Sequence, residues 1–81
     1  MEAANIAEGF TFSATHERYP GYEDFYIIDK IVDDSEIVLK CTRRVKPNQQ
    51  DENFTENHPI TIVERQWFDT KLTVRKIRCR N

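Results

Sequence analysis

Two apolar runs separated by four polar residues restrict the fold of this chain more than any other feature. The first run spans Phe25 to Val32, and the second spans Ile37 to Val45. Both are rich in β-branched and aromatic residues, and the polar residues between them are typical of a tight turn. This arrangement predicts a β-hairpin. Because both faces of the first run are mostly apolar, we expect it to be a central strand of the sheet.

The second run has one parity that is almost entirely apolar. Ile37, Leu39, Cys41 and Val45 share this parity and are therefore the predicted core face, but Arg43 interrupts it. A charged side chain at a core-facing position predicts either a β-bulge or a strand that leaves the core near its end.

Further strand patterns precede and follow the hairpin. Phe10 to Ala14 alternates apolar and polar residues, Ile60 to Val63 is β-branched, and Lys71 to Arg78 is predicted as the last strand. Between the last two, Glu64 to Thr70 is predicted to contain a single 3₁₀ turn that places Trp67 or Phe68 inward.

The predicted fold class is therefore all-β, a small five-stranded antiparallel roll or partly open SH3-like barrel with a long polar loop between strands 3 and 4. The strand order and the Gly9-led Phe10-Thr11-Phe12 opening resemble those of small SH3-like barrels. This resemblance covers pattern only, so it implies no functional residue.

The chain has the length of one domain, with 81 residues. Residues 1–8 are predicted as a polar N-terminal lead and residues 9–81 as a single small β domain. Residues 46–59 contain one aromatic residue among many amides and acids, which predicts a flexible loop.

Composition indicates a cytoplasmic protein. Only 38% of the residues are hydrophobic, and no run approaches the roughly 20 apolar residues that span a membrane. The amino terminus lacks the basic and apolar regions of a secretory signal. Cys41 and Cys79 are expected to be free thiols, since a disulfide would require their two strands to be neighbours.

No pattern of residues predicts catalysis or a metal or cofactor site. The two histidines and two cysteines are scattered singly, whereas structural zinc sites pair their ligands closely. No nucleophile elbow or glycine-rich phosphate loop is present. We therefore expect a non-enzymatic protein without a cofactor.

Charge is distributed unevenly along the chain. Residues 1–40 carry 3 basic and 9 acidic side chains, a net of −6, and residues 41–81 carry 9 basic and 5 acidic, a net of +4. This pattern favours an interaction module, a monomer or weak homodimer, that binds a protein partner through charged patches. The predicted protein-binding residues are Glu23, Asp24, Asp33, Asp34, Glu36, Tyr22 and Phe54.

One variant of this hypothesis is an inhibitor. If the acidic residues engage a basic groove that normally holds nucleic acid, the protein competes with nucleic acid in that groove. Small acidic proteins of phages and mobile elements often act as inhibitors of host machinery.

The alternative is a single-stranded nucleic-acid-binding β-barrel. Such barrels place aromatic stacking faces beside a basic groove, although the net charge of −2 disfavours contact with phosphate. The residues predicted for this alternative are Arg43, Arg44, Lys46, Arg75, Lys76, Arg78, Tyr19 and Trp67.

Overall fold

The computed structural model describes residues 6–15, 18–33, 35–73 and 77–79. Within these ranges the elements are β1 (Thr11–Thr15), β2 (Glu23–Ile31), β3 (Glu36–Val45), β4 (Glu52–Asn53), β5 (Ile60–Glu64), α1 (Arg65–Thr73) and β6 (Ile77–Cys79). All strand pairs are antiparallel. The predicted all-β roll is confirmed, with β4 as a two-residue addition to the five main strands.

The sheet is organised around β3. Strand β2 pairs with one edge of β3 along almost its whole length, while β5 and β4 share the other edge. Strands β1 and β6 extend the sheet beyond β2, which gives the order β4-β3-β2-β1-β6 with β5 beside the first half of β3. Within the described ranges β5 and β6 do not pair, so the sheet is open.

The predicted hairpin is the β2–β3 pair. Its turn is held by the Asp33 carboxylate, which accepts hydrogen bonds from the backbone N–H of Ser35 at 2.7 Å and of Glu36 at 3.1 Å. The Ser35 hydroxyl donates to the same oxygen at 2.7 Å. These bonds stabilise the charged form and lower the pKa of Asp33.

Strand β3 contains a β-bulge next to Arg43, where the sequence pattern indicated one. Phe25 pairs with Arg43 and Tyr26 with Cys41, so Thr42 is an extra residue on β3. The Thr42 hydroxyl donates to the Phe25 carbonyl at 3.2 Å. The extra residue resets the alternation of side chains, and it places Arg43 beside Phe25 with its guanidinium 4.1 Å from the ring centre.

The helix α1 corrects the prediction for the carboxyl-terminal part of the chain. Residues 65–73 form an α-helix, so the predicted single 3₁₀ turn and the strand start at Lys71 are wrong. An ion pair between Arg65 and Asp69, 3.1 Å apart at i and i+4, supports the helix. Phe68 faces inward as predicted, and its ring lies edge-on against Phe12 at 4.9 Å.

Tertiary packing explains the helix. A nine-residue helix is marginal alone, and here burial of Phe68 between the helix and the sheet stabilises it. Residues 74–76 of the predicted last strand lie outside the described residues.

The core lies between one face of the sheet and α1, and we call this sheet face the inner face. Its fully buried apolar residues come from β1 and the residue before it, β2, β3, α1 and β6, and Val63 of β5 packs against them partly buried. The fully buried residues are Phe10, Phe12, Ile28, Ile37, Leu39, Phe68 and Ile77. The predicted core face of β3 is therefore confirmed for Ile37, Leu39 and Cys41, which are buried. Val45 lies beyond the register shift at Thr42 and is only partly buried, so its predicted place in the core is wrong.

The predicted loop 46–59 is tied to β3 at several points. Lys46 forms an ion pair with Glu52 at 3.1 Å, and Glu52 belongs to β4. The backbone N–H of Phe54 donates to the Thr42 carbonyl at 3.0 Å. Asn48 turns the chain after β3 with a φ of 58°.

Cys41 is a buried free thiol, as predicted. Strands β1 and β2 separate its strand from β6, which carries Cys79. In the part of the chain that the structure describes, no helix is long and apolar enough to cross a membrane.

Candidate functional site

The sheet face opposite the core, which we call the outer face, carries an apolar surface beside β5. Strand register sets its composition. Val38 of β3 pairs with Ile62 of β5, and Lys40 of β3 pairs with Ile60. Since Ile37 and Leu39 point into the core, Val38 and its β5 neighbours point outward.

The apolar side chains on this surface are exposed. Ile60 is 54% and Ile62 62% exposed, and Val32 beyond the end of β2 is 48% exposed. One face of an antiparallel sheet normally alternates apolar residues inward with polar residues outward. A group of β-branched residues pointing outward is therefore a candidate contact surface for another molecule.

One end of the apolar surface is acidic. Glu36 of β3 lies directly opposite Glu64 of β5, and both are exposed. Like charges that face each other across a strand pair destabilise a sheet. Among the described residues, neither carboxylate has a salt bridge, and the nearby Arg65 is paired with Asp69. We call the surface formed by Val32, Glu36, Val38, Ile60, Ile62 and Glu64 the acidic–apolar face.

The predicted protein-binding residues divide between two ends of the β2–β3 hairpin. Glu36 belongs to the acidic–apolar face and Asp33 lies beside it at the turn, whereas Asp34 lies outside the described residues. Glu23 and Asp24 lie at the opposite end, where they pair with Val45 and Arg44. The acidic residues therefore do not form one patch.

Asp24 does not belong to any surface. Its side chain is only 4% exposed, and it lies 2.8 Å from Nε of Arg44. The Tyr26 hydroxyl donates to its other oxygen at 3.3 Å. Burial and the neighbouring Asp24 carboxylate raise the pKa of Tyr26. Asp24 thus stabilises this end of the hairpin through its buried contacts with Arg44 and Tyr26.

The other predicted protein-binding residues lie at the same end of the β2–β3 hairpin as Asp24, and they are Glu23, Tyr22 and Phe54. Glu23 accepts a hydrogen bond from the hydroxyl of buried Ser13 at 2.5 Å. The Tyr22 ring packs 5.6 Å from that of Tyr19, and Phe54 is half-buried next to β4. None of these three predicted residues adjoins Glu36.

Three of the basic residues predicted to bind nucleic acid contact other side chains of the protein. Arg44 pairs with Asp24 and Lys46 with Glu52, and Arg43 stacks on Phe25. The carboxylate beside Arg44 raises the pKa of its guanidinium. Arg75 and Lys76, and the side chain of Arg78, lie outside the described residues.

The two aromatics predicted for stacking on bases lie on different elements. Tyr19 is exposed in the β1–β2 connection. Trp67 lies on α1 and packs partly against the core, with the Lys71 ammonium 5.8 Å from its ring centre. The hairpin end with Arg43 and Tyr19 does not include Trp67.

The described residues include no group of three or more His, Cys, Asp or Glu side chains that could hold a metal ion. His58 has its Nδ1 3.2 Å from the Cys41 carbonyl oxygen. Burial raises the pKa of the Cys41 thiol, which favours the protonated, unreactive form.

Sequence reasoning missed Ile60, Ile62 and Glu64. Alternation alone does not tell which face of a strand is covered, and the pattern of β5 is equally compatible with a core strand. The pairing of Glu36 with Glu64 identifies this surface, but it can be recognised only when the register between β3 and β5 is known.

No family model matches the chain, and comparisons with the curated proteins and with the solved structures found no match either.

Proposed function

We propose that the protein is a non-enzymatic interaction module that binds a basic, apolar segment of a partner protein on its acidic–apolar face. The observation that carries the proposal is the direct pairing of Glu36 with Glu64 beside exposed Ile62. A cationic group between the two carboxylates would remove their repulsion, and apolar side chains would cover the β-branched residues.

The charge near the acidic–apolar face supports the proposal that the partner segment is basic. Asp33 adds a third carboxylate next to Glu36, and the hydrogen bonds that lower its pKa favour the charged form. By contrast, ion pairs neutralise Arg44 and Lys46 at the other end of β3. Two lysines also flank the apolar area, since Lys30 of β2 pairs with Val38 and Lys40 of β3 pairs with Ile60, and Lys40 forms an ion pair with Asp29 at 3.2 Å. The negative charge is concentrated at the end of the apolar area formed by Glu36, Glu64 and Asp33.

The inhibitor variant follows from the same surface. A partner segment rich in Lys or Arg also attracts nucleic acid, so occupancy by this protein would compete with nucleic acid. The buried free thiol of Cys41 supports action in the cytoplasm.

The test uses a synthetic extended peptide of alternating lysine and valine, with an alternating glutamate and valine peptide as its control. We expect the lysine peptide to shift the amide resonances of β3 and β5 in NMR titrations, with affinity that falls as salt rises. The substitutions Glu36→Gln and Glu64→Gln together should weaken binding about fivefold, as expected for two exposed ion pairs.

The matched control removes the same charge elsewhere. Asp51→Asn with Glu56→Gln alters two exposed loop acids and should leave the affinity unchanged. Equal binding of the two peptides, or equal loss in both double variants, would contradict the proposal.

A further inference from the structure

Among the described residues, strand β5 has one backbone edge without a pairing strand. The N–H of Cys41 donates to the Pro59 carbonyl at 3.0 Å, and the N–H of Arg65 donates to the Ser35 carbonyl at 2.7 Å. Antiparallel strands alternate residues that bond to one neighbour with residues that bond to the other side. Thr61 and Val63 therefore bond to β3, and the N–H groups of Ile60, Ile62 and Glu64 point away from it.

Between Pro59, which precedes β5, and Glu64 at its end, the free edge lacks the usual protection against strand pairing. Natural edge strands commonly carry a lysine, a proline or a bulge, whereas β5 reads Ile-Thr-Ile-Val-Glu with a regular register. Helix α1 leaves the end of β5 and packs under the sheet, with Phe68 against Phe12 of β1. Within the described part of the chain, no other strand pairs with β5 at this edge.

We infer that a second copy of the chain pairs antiparallel with β5, centred on Ile62, and forms a dimer with one continuous sheet. In this register Ile62 lies opposite Ile62 of the second copy, and the two exchange backbone hydrogen bonds. The N–H of Glu64 then meets the C=O of Ile60 in the second copy. The pairing is isologous, so it closes after two copies.

Side chains on the outer face support this register. Ile62 of one copy lies beside Ile62 of the other, and Val38 flanks each of them on β3. Glu64 of one copy lies opposite Ile60 of the second copy, whose neighbour on β3 is Lys40. Two strand spacings, about 10 Å, separate Glu64 from that Lys40, a span that these two long side chains can bridge. Lys40 already forms an ion pair with Asp29 at 3.2 Å, so in the dimer each Lys40 is shared between Asp29 of its own copy and Glu64 of the other.

The dimer does not depend on the proposed function. Edge pairing uses the backbone of β5, whereas the partner segment is proposed to lie on the outer face. Glu36 belongs to the acidic–apolar face and not to the edge. Glu36→Gln should therefore weaken peptide binding without changing the dimer.

Cysteine crosslinking tests the register. In a chain with Cys41→Ser and Cys79→Ser, Ile62→Cys places the two new thiols directly opposite one another, within the Cα separation that a disulfide allows. Ile60→Cys is the matched control, because in this register its two copies are about 14 Å apart. We expect a crosslinked dimer on mild oxidation for Ile62→Cys and none for Ile60→Cys.

Sedimentation of the unaltered chain over a concentration series provides the second measurement. We expect a reversible monomer–dimer equilibrium. The substitution Lys40→Glu should weaken the dimer severalfold, and the charge exchange Lys40→Glu with Glu64→Lys should restore it. A chain that stays monomeric at millimolar concentration, forms open-ended polymers, or crosslinks equally through both cysteines would overturn the inference.

Discussion

The Asp24 carboxylate lies 2.8 Å from Nε of Arg44, and the acid is almost fully buried whereas the arginine is partly exposed. Both residues reach the same face because the Thr42 bulge shifts the register of β3. An acid this deep in the sheet depends on its partner, since an unpaired buried charge is costly.

Removal of the arginine should therefore destabilise the protein strongly. We expect Arg44→Met to reduce the free energy of unfolding by about 2–3 kcal/mol, because the Asp24 carboxylate loses its compensating charge. Adding Asp24→Asn should recover part of this loss. Urea unfolding of both single variants and the double variant measures the coupling.

Lys46→Met is the matched control for that experiment. Its ion pair with Glu52 is more exposed, so its loss should cost less than about 1 kcal/mol. Equal losses for Arg44→Met and Lys46→Met would show that Asp24 does not depend on Arg44.

Alkaline pH should destabilise the fold through Cys41 and Tyr26. Burial raises the pKa of each group in the folded protein, so the unfolded chain releases these protons at a lower pH than the folded chain. Their contribution is complete below the unfolded pKa values, about 8.5 for cysteine and 10 for tyrosine, and is lost as pH rises above them.

Unfolding free energies between pH 7 and pH 11 should show this fall. Cys41→Ala should flatten the part that begins near pH 8.5, and Tyr26→Phe the part that begins near pH 10. If neither substitution changes the slope, other groups dominate the alkaline transition.

Two glycines allow a comparison of backbone strain with and without steric contact. Gly9 and Gly21 both have a φ of 89°, a region that costs an L-residue about 1–2 kcal/mol. An added Cβ at Gly9 meets no atom within 4 Å, whereas at Gly21 it meets Pro47 Cβ at 3.1 Å.

Gly21→Ala should therefore cost more stability than Gly9→Ala, and the excess measures the contact with Pro47. Thermal and urea unfolding of the two variants would check this. An equal loss would mean that the Pro47 ring moves aside freely.

Phe68 should be the most sensitive position of the helix. Phe68→Ala should cost about 3–5 kcal/mol because it opens a cavity against Phe12, a large share of the stability of a domain this small. Thr70→Ala, at an exposed position of the same helix, should change stability by less than about 0.5 kcal/mol. Unfolding followed by circular dichroism distinguishes Phe68→Ala from Thr70→Ala. A small loss of stability in Phe68→Ala would contradict the packing of Phe68 against Phe12.

The parts of the fold that follow from alternation were predictable from sequence. Ile37, Leu39 and Cys41 identify the inner face of β3, and a misplaced Arg43 identifies the bulge. The helix was not predictable in the same way, because adjacent Trp67 and Phe68 fit neither period well. Its conformation depends on the space beneath β1 that Phe68 fills, which is a tertiary property.

The candidate surface was less predictable than the fold. Sequence identifies Asp24 and Arg44 as charged residues, but only their position beyond the Thr42 bulge makes them a buried pair. The exposure of Ile62 depends on which face of β5 the helix covers. The sequence therefore predicted Asp24 as a surface acid and did not predict Glu64.

The pairing of β1 with β6 joins the early and late parts of the described chain. During synthesis the ribosome must release residues 77–79 before the outer edge of β1 is covered. Until then the backbone of Phe12, Ser13 and Ala14 presents an open edge that other nascent chains or chaperones can bind. The sheet can therefore be completed only after residues 77–79 have been synthesised, and slow translation of residues 46–76 would lengthen the time for which that edge is exposed.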